Sequence, residues 1–255
     1  MYINLSGLNI LVTGASRGIG KAIATKLAES GASIAIHYNK NVREAENLAN
    51  ILGNESKAFQ SDLSQRNEAG KLFDHVTLEM GSLEIIINNA GIANGTDIEE
   101  DDEKWMVSWE ETLMVNLNSP AILCKKAVEH FIKRRSAGRI INITSRAAYK
   151  GETPDYMAYG ASKAGMVSVT RTIAKSFGKQ GIKAFNIAPG FVRTDMSKEF
   201  IKNYGGEHVD GDIALDRLTE PKDLAPLVTF LASGLADHAT GASFDVNAGS
   251  YFHND

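Results

Sequence analysis

The sequence predicts an open α/β fold, and three observations predict it. An apolar, β-branched run near the start, LNILVT at Leu8 to Thr13, leads straight into a glycine-rich turn and then an amphipathic helical segment. Further short strand-like runs follow, with helix-like stretches between them, as in a sheet whose strands are joined by crossover helices. The residues best suited to chemistry fall just after those runs, at the carboxyl ends of strands, where open α/β sheets hold their ligands.

At 255 residues the chain is long enough to bury a substantial core as one large domain or two small ones. Its 27 Lys and Arg are scattered among 31 Asp and Glu, and the net charge of −4 supplies no basic field for nucleic acid. A single cysteine, Cys124, excludes an internal disulfide and a cysteine-based zinc site. The six histidines lack metal-ligand spacing, so no metal is expected. No leader-like segment opens the chain and no apolar run approaches the roughly 18 residues of a membrane span, so the expectation is a soluble cytoplasmic protein without a membrane partner.

After the first strand comes GASRGIG, with glycines at 14, 18 and 20. Gly14 permits the tight turn, Gly18 lets backbone approach a pyrophosphate, and Gly20 lets the next helix pack closely. Ser16, Arg17 and Ile19 complete the turn, and the helix over Gly18 to Glu29 offers unpaired amides and a positive dipole end to phosphates. Strand before and helix after are the context that a dinucleotide fingerprint requires. The second strand, Gly31 to His37, should deliver the next residues to the adenosine ribose. No carboxylate occurs from Gly31 to Val42, whereas Asn39, Lys40 and Arg43 follow the strand and Arg17 lies in the turn. Cations suit a 2′-phosphate, so NADP(H) is expected before NAD(H); Lys40 and Arg43 also fit the start of a solvated helix.

The third strand, Lys57 to Gln60, leads to Asp62 and Leu63. Asp62 suits either an adenine amino group or the N-cap of a helix beginning near Gln65. The fourth, Glu84 to Ile87, runs into NNAG, where Asn89, Ala90 and Gly91 could close a cofactor pocket or simply turn. The fifth, RIINIT, ends at Ser145, whose hydroxyl could hold a substrate oxygen. Tyr159 and Lys163 then stand four apart in a helical run, on one face. A nearby ammonium should lower the phenol pKa and make Tyr159 a general acid and base near neutrality.

TGASRGIG, NNAG, Ser145 and Tyr159-x-x-x-Lys163, in that order, closely resemble the short-chain dehydrogenase/reductase family, in particular 3-oxoacyl-[acyl-carrier-protein] reductases and related NADPH-dependent ketoreductases. The resemblance runs from about Leu5 to Gly249. It implies one Rossmann-like, doubly wound domain over residues 1–255 with a seven-stranded parallel sheet, assembled as a homotetramer through long helices at roughly Trp109 to Arg135 and Tyr156 to Gln180. It also implies a catalytic set of Asn116, Ser145, Tyr159 and Lys163. Asn116, in LMVNLNSP, would hold a water in a proton relay; Tyr159 and Lys163 would also contact the cofactor, Lys163 through the nicotinamide ribose. NIAPGFVRT places Pro189 and Gly190 beside the cofactor and has Val192 and Thr194 fix the carboxamide. The implied reaction delivers a hydride to a carbonyl carbon, with Tyr159 protonating the oxygen.

Three features depart from the family pattern. EEDDE at Glu99 to Glu103 reads as a solvated acidic loop, Ser145 and Tyr159 are 14 apart, one more than the commonest spacing, and the polar segment Ser197 to Asp216 suggests an open substrate pocket. The end of the last strand, in SFDVNAG at 243 to 249, should border that pocket. Tyr149, Tyr156, Met157 and Phe191 are candidates for its apolar lining. The expected substrate is a carbonyl carried on acyl carrier protein or coenzyme A. A sugar or polyol dehydrogenase is the rival enzyme, and an NADP(H)-binding sensor or scaffold the rival of another class.

Overall fold

The computed structural model describes residues 3–195 and 213–252. Seven parallel strands form one sheet in the order β3-β2-β1-β4-β5-β6-β7. They are β1 (Asn9–Val12), β2 (Ser33–Tyr38), β3 (Lys57–Gln60), β4 (Ile85–Asn88), β5 (Gly138–Ile143), β6 (Ile182–Pro189) and β7 (Ser243–Val246). The inner strands are covered on both faces, so β1, β4 and β6 are buried along nearly their whole length, whereas the edge strands β3 and β7 are partly exposed. Along β4, Ile85 and Ile87 pack in one layer while Ile86 packs in the other. The first layer is closed by α1 (Gly18–Glu29), α2 (Val42–Leu52) and α8 (Pro221–Ala232), through residues such as Ile23, Leu48 and Val228. The second is closed by α3 (Glu68–Met80), α5 (Ser119–Arg134) and α7 (Met157–Phe177), through Phe73, Phe131 and Ile173, with the single-turn α6 (Ala147–Lys150) between β5 and α7. This is the doubly wound, Rossmann-like arrangement. Its strand order reverses at β1, which pairs with both β2 and β4, so the crevice for ligands lies at their carboxyl ends. Among the described residues, no helix is long and apolar enough to cross a membrane.

Two helix starts differ from the sequence reading. α3 begins at Glu68, after Asn67 in a left-handed conformation, and Asp62 caps a turn: its carboxylate accepts the Ser64 N–H at 3.1 Å and hydroxyl at 2.8 Å. EEDDE is only partly a loop. Asp101 accepts the Lys104 N–H at 3.0 Å as the N-cap of α4 (Asp102–Leu113), and Asp102 and Glu103 occupy its first turn, where acidic groups meet the positive dipole end. The helix expected from Trp109 therefore starts at Asp102. It continues through a π-helical turn, Met114–Asn118, into α5.

A polar seam ties the sheet to α7. Asn88, Asn142, Asn186 and Ser243 stand at matched register across β4 to β7. Asn88 Nδ2 donates to Asn142 Oδ1 at 2.8 Å, Asn142 Nδ2 to Thr170 Oγ1 on α7 at 2.7 Å, and Asn186 Nδ2 to Ser243 Oγ at 3.1 Å. Buried amides paired in this way fix one register. Beside them Cys124 is fully buried, and burial pushes its thiol pKa up to about 12, so it is an inert packing residue.

Candidate active site

The turn between β1 and α1 is shaped to expose backbone. Gly14 and Gly18 adopt φ of +64° and +55°, which side chains with a Cβ rarely enter. Gly20 is required by proximity instead: a Cβ there would lie 2.4 Å from the Gly14 carbonyl oxygen and 2.5 Å from Asn89 Nδ2. Asn89 comes so close because it stitches the β4 loop to the turn. Its Nδ2 donates to the carbonyls of Thr13 at 2.8 Å and Gly14 at 3.2 Å, while Thr13 Oγ1 accepts the N–H groups of Asn89 and Ala90 at 2.9 and 3.0 Å.

A long cleft opens from this turn. It is lined by Gly14, Ser16, Arg17, Gly18 and Ile19, then by Asn39 and Lys40 after β2, Asp62 and Leu63 after β3, and Asn89, Ala90 and Gly91 after β4. No side chain caps α1, so its dipole end addresses the cleft directly. Asp62 is held by Ser64 and by Asn39 Nδ2 at 3.2 Å, and the Ser64 hydrogen bond is the main reason its pKa is lowered. Arg17 lies 3.6 Å from Asp195, both largely exposed, a pairing worth about 0–1 kcal/mol that a stronger anion would displace. Arg43 stands on α2 outside the cleft lining, which leaves Lys40 as the lining cation of that pair. The residues that meet here fit a dinucleotide: bare backbone and a helix N-terminus for a pyrophosphate, cations for a further phosphate.

The cleft is continuous with a second hollow through Ile19, Asn89, Gly91 and Thr194, which line both. In the second stand Ser145, Tyr159 and Lys163, with Pro189 at the end of β6 and Gly190, Phe191 and Val192 from the loop after it. The Tyr159 hydroxyl is hydrogen-bonded to the Ser145 side chain, and Ser145 Oγ also accepts the Ala147 N–H at 3.1 Å, which fixes its rotamer. Lys163 Nζ lies 5.6 Å from the centre of the Tyr159 ring and donates to the Ile143 carbonyl at 3.0 Å. Gly91 packs beside it and close to Asn116, whose Oδ1 would lie 3.2 Å from a Cβ at that position.

Charges in this hollow differ from the sequence expectation. Burial raises the Tyr159 pKa, a nearby Glu152 adds to the rise, and the Ser145 hydrogen bond only offsets it. The expected lowering by Lys163 is absent because the ammonium is itself buried and aimed at a carbonyl, with its pKa lowered by burial to about 8. The folded chain thus binds that proton less tightly than the unfolded one. The penalty, about 3 kcal/mol, is present in full below pH 8 and fades as pH rises from about 8 toward 10.5. Lys163→Met is therefore expected to raise stability at pH 7 by up to about 3 kcal/mol, less the bond lost at Ile143, while impairing turnover. Urea unfolding of the two proteins checks this; a destabilised variant would contradict it.

Asn116 and Gly20 lie behind the lining rather than in it. Inside the π-helical turn, Asn116 Oδ1 accepts the Ile92 N–H at 2.9 Å and its Nδ2 donates to the Ile92 carbonyl at 2.8 Å and to Ser162 Oγ at 3.2 Å. It braces the β4 loop against α7. Of the proposed apolar lining, Tyr156 and Phe191 face the hollow, whereas Tyr149 and Met157 lie elsewhere. The end of β7 supports the hollow from behind, with Asn247 so close to Gly190 that a Cβ there would sit 2.8 Å from it. Most of Ser197 to Asp216 lies outside the described residues.

Sequence reasoning passed over some participants. Arg146, buried beside Ser145 with its guanidinium 4.7 Å from the Phe191 ring centre, lines the hollow together with Glu152. Glu111 lines the cleft and accepts from Asn94 Nδ2 at 3.2 Å. His37, read only as part of a strand, is buried against the glycine turn. Among the described residues no cluster suits a metal ion.

Known proteins share both sequence and architecture. The profile of the family described as enoyl-(acyl carrier protein) reductase matches residues 14–251. A 3-oxoacyl-[acyl-carrier-protein] reductase of Staphylococcus epidermidis is 34% identical over 244 residues, covering 94% of this chain and 98% of that protein. One from Synechocystis is 35% identical, covering 94% and 95%. A solved structure from Beutenbergia cavernae, assigned as an NAD(P)-dependent gluconate 5-dehydrogenase and containing bound NADP, superposes with a TM-score of 0.90 at 27% identity, covering 98% of this chain and 99% of that one. With these matches running through both the glycine turn and the tyrosine helix, the chain belongs to the short-chain dehydrogenase/reductase family of oxidoreductases.

Proposed function

We propose that the protein reduces a carbonyl to a secondary alcohol with NADPH, most specifically the 3-oxo group of an acyl thioester on acyl carrier protein or coenzyme A. The observation that carries this reading is the continuity between the glycine-turn cleft and the hollow holding Ser145, Tyr159 and Lys163. Gly14 to Gly20, Asn89 to Gly91 and the Pro189 to Thr194 loop hold the cofactor, which supplies the hydride when bound. Ser145 orients the substrate oxygen. Tyr159, protonated across the neutral range, donates the proton that this oxygen needs. Lys163 holds positive charge beneath the phenol, and Asn116 fixes the loop beside it on the path by which the proton is replaced. The 3-oxoacyl substrate follows the two curated relatives, whose names specify it. We place the enzyme in the cytoplasm as a homotetramer.

The test is fluorescence titration with NADPH and NADH, followed by cofactor depletion with acetoacetyl and longer 3-oxoacyl thioesters. NADPH-dependent thioester reduction supports the reading; inert thioesters overturn the substrate. A second reading, oxidation of a polyol or sugar acid, draws on the gluconate assignment of the Beutenbergia structure and on the polar side chains of Arg146 and Glu152 in the lining of the hollow. Cofactor choice has its own check. Arg17→Ala and Lys40→Ala are each expected to weaken NADPH about tenfold and leave NADH nearly unchanged, since each removes a charge-assisted contact to the extra phosphate. Equal losses for both cofactors would contradict the assignment.

A further inference from the structure

We propose that His37 is a positioning residue for the cofactor, an uncharged tie that sets the glycine turn against the adenosine wall of the cleft; this rests on the reading that the cleft binds NADP(H). The geometry is specific. His37 lies near the end of β2, 2% exposed, and its ring takes the Gly14 N–H on Nδ1 at 3.0 Å. Its own carbonyl takes the next amide, Ala15 N–H, at 2.9 Å. On the other side Nε2 meets the Ser61 carbonyl at 3.1 Å, immediately before Asp62 and Leu63 of the cleft lining. One residue therefore fixes two consecutive amides of the phosphate turn and the strand end across the cleft.

These partners dictate the tautomer. An N–H pointing at Nδ1 requires a lone pair there, so the ring proton sits on Nε2 and goes to the Ser61 carbonyl. Both nitrogens are satisfied only while the ring is neutral, and burial keeps it so by lowering its pKa to about 4. The charged side chain acting on it is Asp62, which opposes that lowering; Arg17 and Lys40 line the same cleft, from the glycine turn and after the end of β2. A neutral ring can support the turn without pairing with the phosphates or repelling the two cations. An ordinary packing residue could fill the volume but would leave the partly buried Gly14 amide without its side-chain acceptor.

The experiment compares wild type, His37→Phe and His37→Asn in NADPH titrations and steady-state kinetics. His37→Phe keeps the ring volume and removes both polar contacts; its Kd and KM for NADPH are expected to rise about tenfold, with kcat and the carbonyl KM within about twofold. His37→Asn, which retains a short side-chain acceptor toward Gly14, should recover most of that loss. If His37→Phe does not fold, His37→Ala replaces it with the same expected rise in Kd. An unchanged NADPH Kd in a folded Phe or Ala variant, or an equal effect on all kinetic constants, overturns the proposal. A wild-type chain that binds neither NADPH nor NADH instead removes the reading of the cleft, before any variant is made.

Discussion

Tyr159→Phe is expected to lose turnover by about a hundred- to ten-thousand-fold while binding NADPH within about threefold of wild type. The substitution removes one oxygen from a partly buried ring and leaves its volume in place. What disappears is the group hydrogen-bonded to Ser145 in the lining of the hollow. The phenol is protonated across the neutral range even at its ordinary pKa, and burial, which raises that pKa, leaves it in the state that can donate. Ser145 and Lys163 keep their own partners, the Ala147 amide and the Ile143 carbonyl, so the site is not expected to collapse. Single-turnover depletion of NADPH, measured beside its fluorescence titration, separates chemistry from binding. Turnover within tenfold of wild type would remove Tyr159 from the mechanism.

Gly20→Val is expected to cost NADPH affinity about a hundredfold and to destabilise the chain by about 3 kcal/mol, the upper part of the range for overpacking. Even the first added carbon falls 2.4 Å from the Gly14 carbonyl oxygen and 2.5 Å from Asn89 Nδ2. Neither atom is the far end of a free side chain. The first is backbone of the phosphate turn, and the second is held by the carbonyls of Thr13 and Gly14. Relief must therefore move the turn, the β4 loop, or both, and each lines the cleft. Urea unfolding and NADPH titration of the variant test the two effects independently. Wild-type affinity in Gly20→Val would show that the turn does not form the phosphate site.

The order of the elements and the place of the site were legible in the sequence because they depend on local signals. Apolar runs mark strands covered on both faces, glycine marks left-handed or crowded backbone, and a spacing of four puts two side chains on one helical face. α1 was bounded correctly, and Ser145, Tyr159 and Lys163 do meet. Helix starts were less legible. Asp62 has an N-cap side chain, but Ser64 binds it locally and the helix waits until Glu68, while Asp101 hides a cap inside an acidic run. The direction of the Tyr159 pKa shift differs from the sequence expectation because spacing gives proximity without burial, and burial decides here. His37 was unreadable for a related reason: its partners, Gly14 and Ser61, lie just beyond the ends of the neighbouring strands β1 and β3, 23 and 24 residues away.

The π-helical turn at Met114–Asn118 carries a consequence for descent. Such a turn holds one residue more than an α-helix of the same span, and each residue advances a helix by about 100°. Deleting a single residue ahead of Asn116 would turn its amide away from Ile92 and bring a neighbour into its place. A one-residue deletion would be absorbed as the turn reverts to α-helix, so the downstream face would keep its register while the brace made by Asn116 would be lost. Alignments of relatives that keep the brace should therefore show substitutions here and no length changes between Asp102 and Arg134.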